Sequence, residues 1–228
     1  MCTPIARSSR VTPPLGQSPG VIRSGGRGIV ETFSIVAVIA IAAQTIALIA
    51  LHLLPTGYDP KADAVSDYGI GRYRSLFWTQ TLAGAVACLA LAVALGDVKP
   101  SVPSLVIVLL VIAGIARLLI PVFPTDQNGS RFRTAHGTIH MILAIVIFAA
   151  IIVAAPKLGS TLEHRPAWHG VKGWLTALPW VMTGGAVGTL VALRGPRLKR
   201  IVGLFERLFY VASIAWFFIV AIELARIY

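Results

Sequence analysis

The chain has 228 residues, 56% of them hydrophobic and only 13% charged, with a mean hydropathy of +0.80. A soluble domain carries roughly a quarter charged residues and cannot hide this much apolar side chain, so a water-soluble fold is excluded. The net charge of +11 does not point to nucleic acid, because the Lys and Arg residues sit in short connections between apolar runs, where they anchor to anionic headgroups and set topology.

Residues 1–28 form a Pro/Gly/Ser/Arg tail without apolar periodicity, expected to be disordered. The apolar run after it is about twice the length of a signal-peptide core, and no A-x-A site closes it, so it reads as a spanning helix rather than a cleaved leader. Six apolar runs follow, over 29–54, 75–96, 102–123, 136–156, 173–193 and 201–228. Each supplies close to or more than the ~20 residues a spanning helix needs. Helix ends are expected at Pro55 with Gly57, Asp97 with Pro100, Pro124, Lys157 with Gly159, and Gly195 with Pro196. In lipid every backbone polar group must be paired within the segment, which makes these runs helices and not strands. The sequence therefore predicts an all-α, polytopic membrane protein, a six-helix transmembrane bundle over 29–228.

Glu31 lies inside the first run and Glu206 with Arg207 inside the last, so both runs can include interfacial turns. In the fifth, Gly184 and Gly188 have a small-xxx-small spacing that suits packing within the chain better than dimerisation. Cys2 and Cys88 are far apart and imply neither a disulfide framework nor a cysteine metal site. No internal repeat is visible. Lys and Arg divide evenly between the two sides, and orientation then rests on the basic tail, which has no acid before Glu31. That tail puts the N-terminus in the cytoplasm and makes the chain a multi-pass protein of the cell membrane, although the basic segment 194–200 pulls the other way.

Six spans put the first, third and fifth connections on one side, extracytoplasmic in this orientation. His52 closes the first helix. The first connection carries Asp59, Asp63, Ser66, Asp67 and Tyr68; the third carries Asp126; His136 and His140 open the fourth helix; and Glu206 and Arg207 open the sixth. Three of the five histidines and five of the nine acids thus share one face.

His136 and His140 are four apart, about 40° of rotation and 6 Å of rise, so both rings project from one helix face. This is the spacing of paired zinc-ligand histidines, and His52 is a candidate third ligand leaving a position for water. Asp67 or Asp126 is then the candidate general base or the group that orients a ligand, and Ser66 a candidate nucleophile. The competing reading is a structural polar network of Asp63, Arg117, Glu206 and Arg207 with the histidines, and a Ser-Asp-Tyr-Gly turn closed by its own backbone bonds. Arg117 is expected to pair with Glu206 or Asp126 or to snorkel, since an arginine at membrane depth costs about 2.5–3.5 kcal/mol on insertion scales.

The order of several blocks resembles the bacterial and archaeal membrane proteins classed as domain of unknown function 998. The blocks are Tyr58-Asp59-Pro60, Ser66-Asp67-Tyr68-Gly69, Phe123-Pro124-Thr125-Asp126, His136-Gly137-Thr138-Ile139-His140 and Gly203-Leu204-Phe205-Glu206-Arg207. Tyr68 stands where the family has leucine. The resemblance implies a six-helix membrane domain and supplies no activity. From the residues, the leading expectation is a polar pocket at one membrane interface that binds a lipid or small amphiphile, in contact with membrane lipids. The alternative is a metal-dependent, zinc-using hydrolase of a lipid amide or ester. A permease is disfavoured, because Gln44 is nearly alone at midplane depth.

Overall fold

Long apolar runs fold into helices because a bilayer offers no other partner for the backbone. The computed structural model describes residues 24–126, 133–195 and 198–228, and among them it contains helices and no strand. The six long helices are α1 (Ser24–Leu53), α2 (Arg74–Asp97), α3 (Ser104–Leu119), α4 (Ala135–Leu162), α5 (Lys172–Arg194) and α6 (Val202–Ile227). Short 3-10 segments lie over Val65–Ile70, Ile120–Val122, Pro166–Val171 and Leu198–Ile201. All six helices, α3 extended by its 3-10 turn, are long and apolar enough to cross a membrane. The chain is a multi-pass membrane protein.

Two boundaries differ from expectation. Helix α1 starts at Ser24, so the last five residues of the expected tail are helical, while residues 1–23 lie outside the described residues. Helix α4 passes through Pro156 and ends at Leu162, beyond the stop expected at Lys157 and Gly159. Pro156 removes one backbone donor, whereas leaving the helix there would strand several groups in lipid. The continued turns also place Leu158 and Leu162 fully inside the bundle.

Each helix packs on its neighbours in the chain, and α6 closes the ring against α1. Helix α2 is the most buried span, and its alanines (Ala85, Ala87, Ala90, Ala92 and Ala94) leave room for close approach. Phe148 of α4 stacks on Phe209 of α6, with centroids 3.9 Å apart, and joins two helices that are not neighbours in the ring. Outward faces carry bare aliphatic residues such as Ile39, Ile46 and Val211, as a lipid-facing surface requires. Gly188 lies against Phe205 of α6 and Gly184 faces open space, so the glycine spacing serves packing within the chain. Among chain neighbours, α4 and α5 touch least, and a groove opens between them.

Candidate functional site

One end of the bundle gathers the residues that sequence reading grouped on a single face. The first connection folds on its own carboxylates. Asp59 accepts the Lys61 N–H (2.9 Å), Asp63 accepts the Asp59 N–H (2.8 Å), and Asp67 accepts the Ala64 N–H (2.8 Å). Acids four apart thus cap successive turns of one loop, because a short carboxylate reaches backbone donors a few residues away on either side. Burial, then the charges of Asp67 and Asp63, push the Tyr58 phenol above its ordinary value.

Helix α6 clamps that loop. The Arg207 Nε donates to His52 Nε2 (2.7 Å), Nη1 donates to the Asp63 carbonyl (2.7 Å) and the Gly203 carbonyl (3.0 Å), and Nη2 donates to the Tyr68 hydroxyl (3.0 Å). His52 Nδ1 donates in turn to the Leu48 carbonyl at 2.7 Å, so that Nε2 turns its lone pair to Arg207. Glu206, buried beside it, accepts the Val65 N–H at 2.8 Å.

The third connection is closed by Asp126. One carboxylate oxygen accepts the N–H groups of Arg133 (2.7 Å) and Thr134 (3.2 Å), and the other accepts the Thr134 hydroxyl (2.6 Å). Thr134 then caps α4 by accepting the Gly137 N–H at 3.0 Å. A β-carbon at Gly137 would overlap the Asp126 carboxylate, which explains the glycine of the His-Gly-x-x-His block. The hydrogen bond from the Thr134 side chain, reinforced by the backbone donors, holds the Asp126 carboxyl below the usual range.

The four-residue histidine spacing places its two members differently. His140 is buried and its Nδ1 donates to the Phe123 carbonyl (2.8 Å), while His136 is exposed at the rim beside the Phe123 ring. Both ring nitrogens of His52 are engaged, by Leu48 and by Arg207. Among the described residues no three of His, Cys, Asp and Glu gather so as to hold a metal ion. The donor set expected for zinc therefore does not converge there. Asp67 and Asp126 spend oxygens on backbone donors of their own loops.

What does converge is Ser66, His140 and Glu206. These three line the α4–α5 groove, whose other walls are apolar residues of α4 and α5 together with Thr189, and whose volume is about 660 Å³ including its open side. The family model for DUF998, a protein of unknown function, matches residues 21–223. The chain belongs to this family. Its match spans all six helices, so the blocks that carry the resemblance sit in the loops and helix ends just described. Searches of the curated proteins and of the solved structures found no match.

In this DUF998 member the site continues inward to Arg117, already read into the polar network, and to four residues that sequence reading did not group with it. Gln44 of α1, Gln80 and Thr81 of α2, Arg117 of α3 and Tyr210 of α6 are all buried in the bundle. Arg117 and Glu206 line one inner cavity. Isolated amides within apolar helices were the available signal, since each must find a partner in a neighbouring helix.

Proposed function

We propose that this membrane protein binds a lipid or small amphiphile, with the apolar tail in the α4–α5 groove and the polar end at Ser66, His140 and Glu206. One observation carries the reading: a mostly apolar groove between α4 and α5 is also lined by the buried Ser66, His140 and Glu206, with Thr189 the one further polar residue on its wall. That matches an amphiphile's division into tail and head. The site lies in the cell membrane, with the N-terminus cytoplasmic and this end of the bundle extracytoplasmic.

A photoactivatable fatty acid, crosslinked to the purified full chain in neutral detergent and mapped by mass spectrometry, tests the groove. Adducts are expected on α4 and α5 around Ala144, Ile145 and Leu190, which line it. Ala144→Trp should lower them about fivefold or more by filling the tail path. Adducts spread over outward residues such as Ile39 and Ile46, and unchanged by the tryptophan, would remove the reading.

A second reading, hydrolysis of a lipid ester or amide, is favoured by the placing of a serine, a histidine and a glutamate on one cavity wall. A fluorophosphonate probe that labels the wild type and not Ser66→Ala is its expected signature. The zinc-dependent form of this reading has less support, because its ligands are not gathered among the described residues.

A further inference from the structure

The seam between α4 and α5 opens a second time, in a notch toward the C-terminal end of α4. Its cavity of about 150 Å³ exceeds several-fold the ~10–15 Å³ that one water needs, so a small polar head fits it. The polar wall is made almost wholly of acceptors. Ser160, Thr176 and Thr183 each donate their hydroxyl hydrogen to their own helix, to the carbonyls of Lys157 (3.0 Å), Lys172 (3.1 Å) and Pro179 (2.8 Å). A hydroxyl has one hydrogen, so the lone pairs that remain on these oxygens only accept. Pro179, also on the wall, has no N–H to return to the Leu175 carbonyl one turn earlier. That carbonyl points across the seam at α4, where a β-carbon on Gly159 would lie 2.8 Å from it. Among the described residues on this wall, Glu163 is the one charged group, and Trp180, 75% exposed, is the one side chain with an N–H. The cations beside Glu163 are His164 at 3.8 Å and Lys172 at 3.9 Å, both beyond hydrogen-bond reach and both more than half exposed.

We propose that this notch holds the head of an ethanolamine phospholipid, with its ammonium on Glu163 and the hydroxyl oxygens and its phosphate beside Lys172. An acceptor-lined wall with one negative charge selects a cation that donates, and a primary ammonium brings three N–H donors. Glu163 and Lys172 lie side by side as a negative and a positive group, which complements the amine and the phosphate of a zwitterionic head. The notch is open on the outer face of the bundle, where Ser160, Thr176 and Trp180 are exposed, so the lipid reaches it from the bilayer. A choline head has the same charge and no N–H, and so leaves the hydroxyl oxygens without a donor. The notch shares no lining residue with the groove of the proposed function, and the two readings fail independently.

The test offers the full-length protein, in neutral detergent, equal amounts of dioleoyl phosphatidylethanolamine, dioleoyl phosphatidylcholine and free phosphoethanolamine, with retention read by native mass spectrometry. Phosphatidylethanolamine should be retained about fivefold or more over phosphatidylcholine, the margin expected when N–H donors meet a carboxylate. Glu163→Gln should bring the two lipids within about twofold, because the amide keeps an acceptor and loses the charge. Lys172→Gln should weaken both lipids in parallel and keep their ratio, since both carry the phosphate. The two side chains meet only through an exposed contact at 3.9 Å, so neither variant should melt appreciably lower without lipid, and loss of folding is separable from loss of binding. Equal retention of the two lipids by the wild type, or a preference that survives Glu163→Gln, overturns the site. Free phosphoethanolamine retained as well as the lipid overturns the bilayer as the source of the head.

Discussion

The two ends of the bundle carry similar residue types and use them differently. At the end opposite the first connection, Arg226 pairs with Glu223, Lys172 approaches Glu163 at 3.9 Å, and Arg165 donates to the Pro100 carbonyl at 2.7 Å. The cations there are exposed, and the contacts of Arg226 and Lys172 stay within a short stretch of chain or at its rim. At the site end, Arg207 joins α6 to α1 and to the first connection, and Glu206, Asp126 and His140 are buried. Water can replace an exposed contact at little cost, and it cannot reach a buried one. The first end therefore decorates the helices, while the second fixes how three connections meet, and a ligand entering the second meets groups that are already positioned.

Removing the clamp should give the largest effect. Arg207→Leu deletes four hydrogen bonds from one guanidinium and leaves His52 Nε2, the Asp63 carbonyl and the Tyr68 hydroxyl without their donor. Hydrogen bonds from a charged donor are worth about 1.5–3 kcal/mol each in favourable burial and do not simply add, so a loss of about 3 kcal/mol is expected. Thermal unfolding in detergent measures it. A loss as small as that of a surface pair would mean that the two ends do not differ in kind.

The division between ends was only partly legible in the sequence. Spans were readable because apolar length is a one-dimensional signal that the bilayer enforces. The end of α4 was not, since Lys157 with Gly159 reads as a stop in water and a helix is the only way out of lipid for the residues after it. Loop and helix-end residues such as Asp67, Asp126 and Glu206 were chosen by chemical type, but their roles depend on loop shape. Two aspartates that read as acid-base candidates close their own turns. Spacing alone put His136 and His140 on one helix face; the position of α4 against the bundle buries one and exposes the other. Gln44, Gln80 and Arg117 lie on three different helices, and only the order of the ring brings them to one interior.

An intermediate effect is expected at Asp126, where the pH dependence has a definite sign. Its carboxyl is held below the ordinary Asp value of about 3.9, so the stabilisation it gives is present above that value and is lost as pH falls through the lower folded one. Asp126→Asn keeps an acceptor for the backbone donors, loses the charge, and should melt lower than wild type at neutral pH. The gap should narrow as the medium is acidified below about pH 4, because protonation makes the wild type resemble the variant. Melting curves of the two proteins between neutral and acid pH, taken in one detergent, decide it. A gap that widens in acid would place the dominant charge elsewhere in the connection.

The smallest effect should come from the other end, and it is the strictest check on the comparison. The Arg226 side chain is 64% exposed, and its Nε and Nη2 both donate to Glu223 three residues earlier on the same helix. A pair of this kind has modest attraction in a high dielectric and costs side-chain freedom to hold, so its net contribution is about 0–1 kcal/mol. Arg226→Gln should therefore shift the melting temperature far less than Arg207→Leu, and whatever shift it produces should shrink further as salt is raised toward 1 M, where screening acts within about 3 Å. The Arg207 effect should be nearly independent of salt, because its partners are a ring nitrogen, carbonyls and a hydroxyl within the protein and not an exposed charge. A salt-insensitive loss at Arg226 matching that at Arg207 would show that the C-terminal end of α6 is as firmly organised as its start, and would erase the distinction on which the placement of the site depends.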